Sequence, residues 1–428
     1  MNAAHGGMRK RGVRSALAAG TFDRMQTTTL DPSISPFPRP DRRAWSAVGS
    51  MTMCVALLIA SEFMPVSLLT PIAADLGATQ GMAGQAISIS GLFAVITSLL
   101  VPSVASRFDR RHVLAALTAS MLASLVLIAA APDFFWLMAA RALLGVTIGG
   151  FWALSTATVM RLVPQSSVPR ALGLMYMGNA VATALAAPVG SWLGGVIGWR
   201  GVFWGLVPFA LANLAWQWGS LPSMPPQAAI PLRRVLGLLK RRHVAVAMAA
   251  VMLTFGGAFA TFTYLRPFLE SRTHVTLDQL SLMLLCLGAA GFFGTHAATA
   301  LVGRHLHRLL WGLPLSLGAV TFTLLMVGRL PWAAALAMAG WGALNSALPV
   351  AWMNWLVLGV GDEPEAGGGL MVAAIQLAIM SGAAFGGFLL DHFSIAATFI
   401  GGAALLVTGA LVVGGGKRLE AAIHAPGS

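Results

Sequence analysis

The chain has 428 residues, of which 57% are hydrophobic and only 10% charged, and it carries a formal charge of +13. A soluble domain is about 25% charged, so this composition excludes a disordered chain, a disulfide scaffold and a water-soluble enzyme. Two cysteines, Cys54 and Cys286, lie far apart in apolar runs, a pattern that implies neither a disulfide framework nor a metal site.

Residues 1–45 form a polar tail with Arg and Pro (DPSISPFPRPDRR) and lack the apolar stretch of a signal peptide. The tail is expected to be disordered. From residue 46 onward, apolar stretches alternate with short polar breaks. A helix needs about 20 apolar residues to cross the hydrocarbon layer of ~30 Å, and backbone groups in lipid must be bonded internally. The pattern predicts an all-α polytopic membrane protein with twelve spans, over 46–70, 82–104, 113–131, 135–160, 171–193, 201–219, 244–267, 279–302, 309–328, 331–357, 368–390 and 394–415.

With the N-terminus inside, 22 of the 27 Lys and Arg residues fall on the cytoplasmic side. Arg200, Arg266, Arg272 and Arg329 face outward, and Arg141 lies within a span. The bias places both termini in the cytoplasm. It also accounts for a pI near 11.4 without a nucleic-acid partner.

The spans divide into two six-helix halves, 46–219 and 244–415, joined by a basic cytoplasmic linker over 220–243 and followed by a cytoplasmic tail over 416–428. Landmarks recur at a shift of about 197 residues. Pro71 closes the first span and Pro267 the seventh; Ala186-Ala187-Pro188-Val189-Gly190 answers Ala383-Ala384-Phe385-Gly386-Gly387. Two parallel halves around a cavity make the architecture of an alternating-access transporter.

Few residues within the spans carry chemistry. Glu62 is the one carboxylate inside a span. A charge at membrane depth is costly, so Glu62 must face a wet cavity, find a cation or take a proton. A cavity that opens and closes swings its proton affinity, as proton coupling requires. Arg141 is the one base well inside a span. From helix rise, the two lie about 12 and 9 Å below the same face, so a Glu62–Arg141 pair is expected. The amides Gln85, Asn179, Asn345, Asn354 and Gln376 offer a donor and an acceptor to a polar ligand, with Gln85 and Gln376 best placed; the alternative for each is an interhelical hydrogen bond. Phe151, Trp152, Trp341, Trp352 and Trp355 are candidates for stacking a base, or for packing. His296 is a packing histidine or a second proton site. Gly190/Gly194 and Gly382/Gly386 have the spacing of close helix approach. A P-loop, His-Glu-x-x-His and Gly-x-Ser-x-Gly are all absent from the sequence, so no ATP-driven or hydrolytic chemistry and no cofactor is indicated.

The loop after the second span, PSVASRFDRR, resembles the Gly-x-Leu-x-Asp-Arg-x-Gly-Arg-Arg signature of the major facilitator superfamily, keeping Arg107, Arg110 and Arg111. It has Pro102 for the first Gly, Ser106 for Asp and Asp109 for the second Gly. Arg141-Ala-Leu-Leu-Gly145 fits the superfamily's Arg-x-x-x-Gly element, and Ala187-Pro188-Val189-Gly190 resembles a degenerate antiporter motif. The segment RPDRRAWSAVGSMTMCVALLIASEFMPVSLLTPIAADLGATQGMAGQAISIS is similar to bacterial purine ribonucleoside efflux pumps, as are GGFWALSTATVMRLVP and ALPVAWMNW. The resemblance implies the major facilitator fold and the twelve-span drug:proton antiporter branch. It further implies a bacterial inner-membrane location, a monomer, a gating loop at Arg107, Asp109, Arg110 and Arg111, and proton-driven export of inosine- and guanosine-like nucleosides. A broader drug, sugar or metabolite exporter is the alternative.

Overall fold

In the computed structural model, residues 42–105, 107–225 and 231–414 are described. The expected disorder of the N-terminal tail, up to residue 41, the closing tail and part of the linker lie outside these residues. Thirteen α-helices follow one another, and no strand occurs among the described residues. They are α1 (Arg42–Ser67), α2 (Leu69–Asp75), α3 (Gln80–Ala105), α4 (Arg110–Ala130), α5 (Phe134–Leu162), α6 (Val168–Ser220) and α7 (Leu232–Gly237), followed by α8 (Arg242–Thr263), α9 (Leu265–Phe268), α10 (Leu277–Val327), α11 (Pro331–Gly359), α12 (Pro364–His392) and α13 (Ile395–Gly414). Ten of them are long and apolar enough to cross a membrane.

Local chemistry sets several boundaries. Asp109 and Asp133 cap α4 and α5, their carboxylates accepting from Arg111 N and Trp136 N. Thr276 and Gln279 form a reciprocal capping box at the start of α10. The tail predicted to run to residue 45 ends sooner, because α1 already begins at Arg42. Its first turn is held in place: the Arg170 guanidinium lies 5.3 Å from the Trp45 ring, and Trp216 Nε1 donates to Ser46 Oγ at 2.8 Å.

The larger departure concerns two predicted loops. The breaks after 193 and 302 are helical almost throughout, so α6 runs for 53 residues and α10 for 51. At 1.5 Å per residue each measures over ~75 Å, more than twice the hydrocarbon layer. Each contains one non-helical residue, Gly198 (φ 74°, ψ 161°) and His305 (φ −134°, ψ 26°). A side chain is disfavoured at the first of these, and glycine fits it. Beyond that turn Trp199 Nε1 donates to Asp75 at 3.0 Å, and Arg200 pairs with Asp75 and donates to Ala131 O at 2.8 Å.

Two apolar cores form, one chiefly from α1 and α3–α6 and one chiefly from α8–α13. The internal repeat read from the sequence has a structural counterpart. The first helix of each half breaks at an equivalent residue, Leu68 (φ −110°, ψ 8°) and Tyr264 (φ −107°, ψ 18°). A Cβ on Gly190 would meet Ser67 and Met64, and one on Gly386 would meet Ala260 and Tyr264. These glycines therefore let α6 and α12 approach the ends of α1 and α8.

The halves close on each other at the end that carries these breaks. Asp391 on α12 accepts from Thr79 Oγ1 at 2.5 Å and from Gly81 N at 3.0 Å. Thr70 donates to Glu270 at 2.6 Å, and Arg266 donates to Ser67 O. At the opposite end the named polar bonds do not join one half to the other: Arg111 donates to Trp218 O, and Met224 N and Arg241 of the linker donate to Asp109 and Asp362.

Candidate functional site

The site is built where α1, α3, α5 and α12 meet. Glu62 lies one turn before the end of α1 and is only 6% exposed. Pro65, three residues on, has no N–H, so the Ser61 carbonyl lacks its helical donor. Arg141 on α5 fills that vacancy, Nη1 donating to Ser61 O at 2.9 Å. Its Nε donates to Ala86 O at 3.0 Å and its Nη2 to Ser90 Oγ at 3.0 Å, both on α3. The guanidinium is fully buried, and three neutral acceptors share the cost of its burial.

The expected Glu62–Arg141 pair is corrected by this geometry. The two lie within electrostatic reach, but they do not form an ion pair within 4 Å among the described residues. The reason is that Arg141 is occupied by the backbone beside Glu62 and not by its carboxylate. The same proline logic operates a turn and a half later. Pro71 leaves the Ser67 carbonyl without its helical donor, and Arg266 from the other half takes it. Sequence reasoning marks Pro71 only as the end of a span. Its spacing of four from Ser67 is the available signal.

Gln376 on α12 turns its amide toward Glu62 from the second half. It is 6% exposed, and its Nε2 has no partner in hydrogen-bond geometry. The helices are nearly in backbone contact here, since a Cβ on Gly91 would lie 2.9 Å from Met380 Cβ and 3.2 Å from Gln376 O. Beside Glu62, Phe63 reaches across the halves to Phe259 and Phe262, at centroid distances of 6.0 and 5.8 Å. Phe262 lies parallel to Trp341 at 5.9 Å, and Trp341 Nε1 donates to Thr321 Oγ1 at 3.0 Å. The sequence does not mark Phe63, Phe259 and Phe262, because residue type alone does not say where an aromatic ring points.

Other expected contacts are dispersed. Gln85 is exposed on the face of α3 that carries Met82, Leu92 and Ile96, turned away from the Ser90 side. Phe151 is wholly buried in the first core and has no free face for stacking. Trp152 is half-buried and stacks on Tyr176 at 6.1 Å. Asn179 and Asn345 are half-buried. Asn354 is exposed and donates to Val350 O at 2.9 Å. Trp352 and Trp355 pack on each other, fully buried, at 6.1 Å. His296 is exposed. Cys54 and Cys286 are free.

The loop from Arg107 to Arg111 is bolted to the end of α6 and to the segment after it. Arg107 is exposed. Arg110 N donates to Met224 O at 3.1 Å, and Arg111 donates to Trp218 O at 2.6 Å with its guanidinium over the Trp218 ring. Partial burial pushes the Asp109 carboxyl up. Hydrogen bonds from the Ser223 hydroxyl and the Met224 and Arg111 amides, with His112 nearby, outweigh that and hold it below the usual carboxylate range.

A duplicated helical bundle with a charged site sealed between its halves has a known counterpart, and residues 51–366 match the family model described as Major Facilitator Superfamily. The chain belongs to the Major Facilitator Superfamily. It is a multi-pass membrane transporter, not an enzyme. Over 373 residues it is 48% identical to a protein of Pseudomonas aeruginosa named transcription regulatory protein OpdE, covering 86% of this chain and 93% of the relative. Over 378 residues it is 38% identical to the purine ribonucleoside efflux pump NepI of Salmonella typhimurium, covering 88% and 95%. Among solved structures, a D-xylose-proton symporter superposes with a TM-score of 0.71 at 17% identity, covering 86% of this chain and 97% of that one. A bacterial homologue of the human lysosomal transporter Spinster gives 0.73 at 15%, covering 89% and 98%. These two structures share its fold.

Proposed function

We propose that this superfamily member is a proton-driven antiporter that exports purine ribonucleosides across the bacterial inner membrane by alternating access. The reading takes α6 and α10 as two spans each, folded at Gly198 and His305, which makes twelve spans in two halves of six. It places both termini and the basic linker in the cytoplasm. The sealed end, with Arg266, Glu270 and Asp391, is then the outer face, and the conformation described is inward-facing.

The observation that carries the reading is Glu62, a buried carboxylate at the interface of the halves with no ion-pair partner among the described residues. A proton neutralises such a group cheaply, whereas its charge needs water or a dipole. Arg141 holds α1, α3 and α5 together around it and biases it electrostatically. Glu62 takes a proton when the cavity opens outward and releases it inward, while the nucleoside leaves in the opposite direction. Phe63, half-buried between the halves with Phe262 and Trp341 stacked and buried behind it, supplies a ring face for a base, a contact worth about 1–3 kcal/mol in nucleic-acid binders. Gln376, Asn179 and Asn345 supply donors and acceptors for its edges and ribose. The relative named as an efflux pump supports the substrate class.

The relative named as a transcription regulatory protein favours a second reading, in which this chain affects gene expression. Inverted vesicles separate the two. With an imposed pH gradient, labelled inosine and guanosine should accumulate, and Glu62→Gln should abolish the gradient-driven part. Absence of nucleoside uptake alongside dye or sugar uptake overturns the substrate class.

A further inference from the structure

The linker between the halves has two unlike faces. It carries five Lys and Arg residues over 220–243 and no Asp or Glu. One face is satisfied by the protein. Leu238 is buried in the core built chiefly from α8–α13, with Val235 packed against it, and Arg234 and Arg241 pair with Glu363 and Asp362, each at 2.7 Å. The other face is not. Arg233, Lys240 and Arg242 are exposed and make no hydrogen bond, ion pair or ring contact among the described residues. Leu236 and Leu239, set among them, are 45% and 39% exposed. Leu232, Arg233, Leu236, Gly237 and Lys240 line one groove of about 530 Å³, and a Cβ on Gly237 would meet nothing within 4 Å.

We propose that this groove docks an anionic phospholipid, with Arg233 and Lys240 on the headgroup phosphate and Leu232 and Leu236 against the adjoining hydrocarbon. The volume is that of a small-molecule site, commonly ~300–1,000 Å³. Cations without a counter-charge on the protein call for an anionic occupant, and exposed leucines between them call for one that also carries hydrocarbon. A soluble anion would use the cations and leave the leucines in water. Position agrees, since α8 begins at Arg242 and a basic cluster beside a span lies at the level of the headgroups. The same segment is tied through Arg234 and Arg241 to Glu363 and Asp362, just before α12. A seated lipid therefore holds the starts of α8 and α12 to the membrane surface together. Assigning it to the cytoplasmic leaflet rests on the orientation proposed above.

The test is native mass spectrometry of the full chain in detergent, titrated with phosphatidylglycerol, with phosphatidylcholine and inorganic phosphate as controls. The first phosphatidylglycerol should bind more tightly than phosphatidylcholine and should not be displaced by phosphate. Arg233→Gln with Lys240→Gln should weaken it about 25-fold, at about fivefold for each cation near a lipid surface. Gly237→Leu keeps every charge and adds a side chain into open space, so it should fold, and it should weaken the same step by filling the groove. Equal binding of the two lipids, displacement by phosphate, or an unchanged first step in the double variant overturns the proposal. A first step weakened by the double variant and untouched by Gly237→Leu also overturns it, in favour of a diffuse basic surface. Micelles have no sides, so these outcomes do not depend on orientation. Labelling Arg233→Cys with an impermeant maleimide, in a background with both native cysteines replaced by Ser, reads the leaflet separately. Labelling in inverted vesicles alone is expected; labelling in right-side-out vesicles alone overturns the orientation and leaves the groove standing.

Discussion

Replacing Arg266 by Met isolates the seal between the halves. Arg266 is 9% exposed and donates to the Ser67 carbonyl, which is buried and has no helical donor because residue 71 is proline. A hydrogen bond from a charged group is worth about 1.5–3 kcal/mol. The Arg266–Glu270 pair at 2.7 Å lies within one half and drops out of the difference between states. Losing about 2 kcal/mol from the sealed state alone shifts the equilibrium toward outer opening about 30-fold. Spin labels at exposed Ala74 and Asp278, in a background with both cysteines replaced by Ser, read that equilibrium as a distance distribution. Pro71→Ala should shift it the same way but less, since the new backbone N–H competes with Arg266 for the Ser67 carbonyl. A ratio of open to sealed populations in Arg266→Met within twofold of the parent refutes the argument.

Other expectations follow from the same geometry. Arg141→Met should lower stability by several kcal/mol, since it removes three hydrogen bonds from a buried charged group, each worth about 1.5–3 kcal/mol; thermal melts with and without Glu62→Gln measure its coupling to Glu62 as a double-mutant cycle. Gly149→Val should sharply reduce folded yield in detergent, because a Cβ there already lies 2.1 Å from Ala94 O and overpacking costs about 1–3 kcal/mol or more. Asp109 is held below the usual carboxylate range, so its contribution is intact above that range and fades as pH falls through the lowered value. Quenching of Trp218 fluorescence should therefore change on acidification in wild type and not in Asp109→Asn. Inosine and guanosine should raise the melting temperature by mass action, and cationic dyes should raise it less; the reverse order speaks for a drug exporter.

The sequence carries the apolar segments and the duplication plainly, since a span needs about 20 apolar residues and a repeat needs only matching landmarks. It does not show that the breaks near 198 and 305 shrink to single non-helical residues, because polar residues can cap a turn or continue a helix. Glu62 and Arg141 stand out from sequence because charge at membrane depth is rare. Their relation does not, because it turns on a carbonyl freed by Pro65, and depth along a helix leaves azimuth undetermined. Gln85 and Gln376 show the same limit. Both are amides in apolar spans, yet one faces outward with Met82 and Leu92 and the other faces Glu62. Phe63, Phe259 and Phe262 share that ambiguity, and only packing reveals them as a bridge.

The turn at Gly198 also bears on how the protein is made. With one non-helical residue between its limbs, α6 offers the insertion machinery no loop to hand across the bilayer separately. On the proposal that α6 is two spans, its limbs enter the membrane as a hairpin. The residues just past the turn, Trp199 and Arg200, dock onto Asp75 and Ala131, both of which leave the ribosome earlier. The first half thus has an order of assembly written into it, in which the hairpin arrives last and locks onto helices already in place.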